Sequence, residues 1–150
     1  MVVETLFNWT RSTPDVFAKN VTVQNFTVLD GMSFVKPEFA NFADPYIVVE
    51  AIGYKNGTIC QAVELWKEEV SASRNENGTL AFGVYKDAVD QNRLYTLAAY
   101  ESEEYLLGTH AKSAVAEDLD KNTRNSRTGV EQTLLQMRGG FFYKGSQSCG

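Results

Sequence analysis

From Ala43 onward, apolar and polar positions follow two rhythms, one of period two and one of period 3.6, and the switches between them mark the elements. Tyr46 to Tyr54 (YIVVEAIGY) is a β-branched and aromatic run closed by Lys55-Asn56-Gly57, which reads as a strand ending in a turn. Thr58 then caps a helix. Ile59, Ala62, Val63, Trp66 and Val70 recur in it at three- and four-residue spacing, and Glu64, Lys67, Glu68 and Glu69 fall on the opposite, solvated face. Asn75 to Gly78 breaks this helix. Thr79 to Lys86 and Arg93 to Tyr100 follow as two strands of a hairpin across residues 87–92. Ser102, with Glu103, Glu104 and Tyr105 behind it, opens a second helix in the manner of a capping box. That helix is predicted to run to about Asp120, with Leu107, His110, Ala111 and Ala114 toward one side. After a polar break at Asn122 to Ser126, Val130 to Met137 and Phe141 to Lys144 form a last strand bent at Gly139-Gly140. The order β-α-β-β-α-β is the split ferredoxin-like unit, so the expected class is α+β with an extra N-terminal helix and strand.

The extra elements come from residues 1–44. Ser12 to Asn20 followed by Val28 to Lys36 echoes Ser113 to Asn122 followed by Leu134 to Lys144. Each passage reads helix, strand, then a glycine- and aromatic-rich end with a basic residue. The expectation is a partial repeat: 1–44 resembles the last helix and strand of a second unit, 45–144 is the complete unit, and 145–150 is a tail. A half unit cannot close a core. Its strand is therefore expected to pair with an edge of the complete unit or with a second chain.

The chain has 150 residues, 43% hydrophobic and 22% charged, which suits one domain with its own core. A net charge of −5, with no basic cluster among the aromatics, excludes the footprint of a nucleic-acid binder. Cys60 and Cys149 lie far apart and read as free thiols, and with 1 His the Cys/His spacings of a zinc site cannot be assembled. No apolar run approaches the roughly 18 residues of a membrane span, and the opening residues do not read as a signal core, so a cytoplasmic location is expected. Asn-x-Thr sequons at Asn8, Asn20, Asn25, Asn56 and Asn77 pull toward secretion, since chance predicts roughly one or two. They read here as turn and cap chemistry.

The stretch Asn77 to Asp87 (NGTLAFGVYKD), continuing through Asp90-Gln91-Asn92 to Tyr100-Glu101-Ser102-Glu103-Glu104 and His110-Ala111-Lys112-Ser113, resembles the antibiotic biosynthesis monooxygenase (ABM) domains of the dimeric α+β barrel superfamily. The shared features are a glycine-led strand ending in an aromatic and a basic residue, an Asp/Asn-rich hairpin, an aromatic-led helix and a His-x-x-Ser turn. Ala98 stands where many members carry Glu, Tyr100 stands where Trp is common, and Trp9 stands at the half-unit position matching His110. The resemblance implies a homodimer with sheets packed face to face and a pocket between each sheet and its own helices. It also implies cofactor-independent oxygenation of phenolic or anthrone-type polyketides to quinones, in secondary metabolism. Relatives decarboxylate or isomerise such substrates, and others degrade haem, for which this acidic chain lacks a basic propionate-binding surface.

Cofactor-free oxygenation needs a substrate that ionises, an apolar pocket and a base near neutrality. His110 supplies the base if its helix face looks toward the sheet, and is otherwise a packed histidine bonded to backbone. Glu50 alternates with Tyr46, Val48, Ile52 and Tyr54, so it is either a desolvated base on the helix-facing side or part of an ion pair at a dimer interface. Tyr100 and Trp66 are candidate substrate contacts, with a surface hydroxyl and core packing as their alternatives. Tyr85, Phe82 and Met137 either line the cavity or fill it. The expectation is an enzyme acting on a small aromatic substrate without metal or cofactor and without nucleic-acid or membrane partners. The competing class is a non-catalytic dimeric ligand-binding module.

Overall fold

The computed structural model describes residues 24–136. The expected helix at 12–20, the sequons at Asn8 and Asn20, Met137, the bend at Gly139-Gly140, Phe141 to Lys144 and Cys149 lie outside the described residues. The strands are β1 (Phe26–Val35), β2 (Tyr46–Tyr54), β3 (Thr79–Asp87), β4 (Arg93–Tyr100) and β5 (Arg127–Leu135). The helices are α1 (Ile59–Ser73), α2 (Glu103–Gly108) and α3 (Ala114–Thr123), with 3-10 turns at Pro37–Asn41 and His110–Lys112.

The strands form one antiparallel 5-stranded sheet in the order β1-β3-β4-β2-β5. Without β1 this is the ferredoxin-like order, with α1 crossing from β2 to β3 and the α2–α3 segment crossing from β4 to β5. Val48 and Ile52 from β2, Phe82 and Val84 from β3, and Leu94, Ala98 and Tyr100 from β4 meet Ile59, Ala62, Trp66 and Val70 of α1 in one core, with Leu119 from α3. That core fixes the register, because a slip of one residue would turn each of these side chains to the other face.

The N-terminal strand pairs with an edge of the complete unit: Phe26 stands opposite Asp87 and Val35 opposite Ala81 along β3. A bulge between Val28 and Ser33 interrupts this ladder, and Gly31 in it has φ +70°, a conformation that glycine adopts without strain. From the end of β1 the chain crosses under the sheet as a strap. Its Phe39 packs on Ile47, Leu80, Ala81 and Ala99, on the face away from the helices.

Four local expectations are corrected. The second helix is not continuous to Asp120: Thr109 leaves helical backbone at φ −121° and ψ −63°, and Ser113 starts α3 by accepting the Ala116 N–H at 3.2 Å. His110 is thereby turned inward at 7% exposure, while Leu107 is 58% exposed and Ala114 also faces out; Ala111, though exposed, borders the same cavity as His110. Glu69 lies on the buried stripe of α1, with Ala62, Trp66, Val70 and Ser73, and not on the solvated face. Thr58 stands at the N-cap of α1, as expected, but its hydroxyl does not bond the helix's first N–H groups; it donates to the Lys55 carbonyl at 2.8 Å. The last strand begins at Arg127, three residues before Val130.

Gly78 shows how closely α2 docks. A Cβ built there would lie 2.5 Å from the ring of Tyr105, which rests on the start of β3. Gly78→Ala is expected to cost about 1–3 kcal/mol, as overpacking does. Tyr105→Leu should recover part of it in the double variant, with thermal unfolding followed by circular dichroism as the measurement.

Candidate active site

Between the helix-facing side of the sheet and the helices lies a cavity of about 340 Å³. Val48 and Glu50 from β2, Phe82 from β3, Thr96, Ala98 and Tyr100 from β4, and Gln132 from β5 make its floor. Trp66 and Glu69 of α1, Leu106 of α2, His110, and Ala116 and Leu119 of α3 make its walls and roof. Strand register explains the polar row on the floor. Glu50 stands opposite Thr96 on one side and Gln132 on the other, accepting from Thr96 Oγ1 at 3.4 Å and from Gln132 Nε2 at 3.1 Å.

His110 closes one end. Its Nδ1 is 2.8 Å from Glu76 Oε2 and its Nε2 is 3.4 Å from Glu69 Oε1, with the ring packed on Tyr100 (4.9 Å between centroids) and Phe82 (5.8 Å). Glu76 also accepts the Thr79 hydroxyl, so its carboxylate holds the imidazole from a fixed position. Burial raises the proton affinity of Glu69; His110 pulls it back down, Glu76 raises it further, and the Ser73 hydroxyl lowers it. Tyr100 is 3% exposed, and its hydroxyl is pushed well above its ordinary pKa, by burial first and then by Glu50, Glu69 and Glu76. Among the described residues no group hydrogen-bonds that hydroxyl, so it remains a protonated donor for whatever fills the cavity.

The other end carries a cation. Arg127 donates from Nη1 to Asp120 at 2.9 Å and from Nη2 to Thr123 Oγ1 at 2.6 Å. Near it, Trp66 Nε1 donates to the Tyr54 hydroxyl at 2.8 Å, and the Trp66 ring lies 6.2 Å from that of Phe82.

The structure thus brings His110, Glu50, Tyr100, Trp66 and Phe82 to one cavity. Glu50 faces the helices and, among the described residues, makes no ion pair. Tyr85 lies on the opposite face, against Phe26 at 6.1 Å, and does not line the cavity. Glu69, Glu76 and Arg127 were not foreseen. The spacing of Glu69 from Trp66 and Ser73 was the available signal for the first, whereas the loop position of Glu76 gave none. Among the described residues no cluster of His, Cys, Asp and Glu is arranged to hold a metal, and no helix is long and apolar enough to cross a membrane.

The sequence model of the family described as antibiotic biosynthesis monooxygenase matches residues 45–121. The chain belongs to this family. Among solved structures, a candidate monooxygenase from Fusobacterium nucleatum is similar at 19% identity and TM-score 0.69, over 91% of this chain and 64% of that one. A candidate monooxygenase from Lactobacillus acidophilus matches at 14% identity and TM-score 0.61, over 70% of this chain and 48% of that one. A candidate antibiotic biosynthesis monooxygenase from Nitrosomonas europaea matches at 16% identity and TM-score 0.57, over 65% of this chain and 99% of that one. At these identities the likeness is one of fold, and this ABM chain spans less than two thirds of the first two of these proteins. No curated protein matches it.

Proposed function

We propose that this ABM chain is an enzyme that ionises a small aromatic, polyketide-like substrate and lets the resulting anion react with dioxygen, giving a quinone without metal or flavin. The observation that carries this reading is the arrangement at one end of the cavity, where an imidazole between two carboxylates and a free tyrosine hydroxyl face a partly apolar space. His110 takes a proton from the substrate. Glu76 orients the ring, and the Tyr100 hydroxyl hydrogen-bonds the oxygen on which negative charge develops. Trp66 and Phe82 offer flat apolar walls to an aromatic body, and Glu50 with Gln132 holds polar groups at its far rim. For an anthrone the sum is anthrone plus dioxygen to anthraquinone plus water, with the substrate carbanion supplying the electrons.

A homodimer in the cytoplasm is part of the proposal. Val130, Leu134 and Leu135 on β5, at 44–55% exposure, and Phe26, Val28 and Val35 on β1, at 45–70%, support it as apolar surface at both sheet edges. The test is oxygen uptake by the purified protein with a panel of anthrones and hydroquinones, with product masses recorded. Uptake with a quinone product is expected, and Tyr100→Phe should lower kcat about 10-fold by removing one donor to the oxyanion. Product without uptake would instead mean decarboxylation or isomerisation. No turnover across the panel would mean a ligand-binding module.

A further inference from the structure

The role of Glu69 is left open by that reaction. It sits on the buried stripe of α1, with 2% of its side chain exposed, at a position where an apolar residue would pack without the cost of desolvating a carboxyl. Oε1 accepts from the Ser73 hydroxyl at 3.3 Å and faces His110 Nε2 at 3.4 Å; Oε2 is buried without a hydrogen-bond partner. The residue forms part of the cavity wall beside His110.

The nitrogens of His110 are held unequally. Glu76 Oε2 accepts from Thr79 and lies 2.8 Å from Nδ1, so the ring's Nδ1–H is committed there. In the neutral ring this leaves the lone pair on Nε2. At 3.4 Å, Nε2 is beyond the roughly 2.7–2.9 Å of a charge-assisted bond to Glu69. It is free to take a proton from the cavity and close enough to pass that proton on.

We propose that Glu69 is the proton store of a Glu76–His110–Glu69 relay, an inference that rests on the proton-abstraction reading above. The substrate C–H bond breaks, its electron pair stays on the substrate as the enolate, and the proton bonds to Nε2. It then crosses to a Glu69 oxygen, which returns the ring to its neutral form while the anion reacts. Glu69 acts through His110 and is a positioning residue. Low-dielectric surroundings favour its neutral acid, with Glu76 adding to this and His110 and Ser73 opposing it. Tyr100 from β4, Glu50 from β2, Glu117 from α3 and Arg127 from β5, paired with Asp120 of α3, are the other ionisable groups around the same cavity.

The test is anaerobic exchange of the C10 protons of anthrone in heavy water, followed by NMR across pH. Wild type is expected to catalyse exchange, with an acid limb set by Glu69, since an already protonated store cannot accept. Glu69→Gln should lower kcat about 100-fold, leave KM within about 2-fold and lose that limb. Glu69→Asp should restore part of the rate. Independently of turnover, the infrared difference between wild type and Glu69→Gln should show a carboxylate at pH above the acid limb that gives way to a protonated carboxyl band at pH below it. Exchange by wild type with an unchanged rate and limb in Glu69→Gln would refute the relay and leave the base reading standing, as would a missing infrared band. No exchange by wild type would overturn both.

Discussion

His110→Ala is expected to destabilise the protein by about 3–5 kcal/mol near neutral pH and by much less in acid, because it removes the partner of a buried charge. Glu69 and Glu76, at 2% and 17% side-chain exposure, would then face an empty site with no imidazole between them. The sign of the pH dependence follows from Glu69. Its carboxyl is held above the ordinary value of 4.5 by burial, with His110 acting in the opposite direction. Removing the imidazole raises it further. Between the unfolded and the folded value the native state binds more protons than the unfolded chain, so stability falls as pH rises through that window. Urea titrations at about pH 5 and about pH 8 should show a larger gap between variant and wild type at the higher pH. A gap that is equal at both would show that the loss is one of packing.

Trp66→Ala is the second large effect. The side chain is 6% exposed, packs on Phe82 and gives its N–H to the buried Tyr54 hydroxyl. Truncation leaves a void and takes from that hydroxyl its Trp66 donor, at about 3–5 kcal/mol. For a chain of this length that lowers Tm by about 6–20 °C, measured by thermal unfolding. Trp66→Phe keeps most of the ring and loses the N–H donor. It should cost about 1–3 kcal/mol, which separates the hydrogen bond from the volume. Because Trp66 also walls the cavity, the alanine variant should weaken substrate binding at temperatures where it is still folded.

β2, β3, β4 and α1 were legible because each is a clear run or period flanked by turn residues: YIVVEAIGY is a β-branched and aromatic run closed by Lys55-Asn56-Gly57, and Ile59, Ala62, Trp66 and Val70 keep helical spacing. The region around His110 was not legible as it stands. Gly108-Thr109 is a weak break, and the helical spacing of Leu107, His110 and Ala114 suggested one face where the chain in fact turns. His110 still reached the cavity, by a turn and not by a helix face. Glu69 was misread by charge: in a run of Glu68 and Glu69 beside Lys67, angular position decides burial, and Glu69 shares its angle with Trp66 and Ser73. The alternation of β2 placed Glu50 with Val48 and Ile52 but could not choose the face. α1 chose it, by covering that side. Tyr85 shows the same limit with the opposite outcome, since Phe82 and Tyr85 differ by an odd number of residues and cannot share a face of β3.

If the chain forms the proposed homodimer, the strap has a consequence for its symmetry. A two-fold contact must present the same patch from both copies, and the sheet face available for it already carries Phe39 over Ile47, Leu80, Ala81 and Ala99. A rotation axis through that patch brings each strap against its own mate, so Phe39 becomes an interface residue. An axis displaced toward β5 leaves the straps outside, flanking the contact like rails. Either way the segment that ties β1 to β2 sets where the axis can pass.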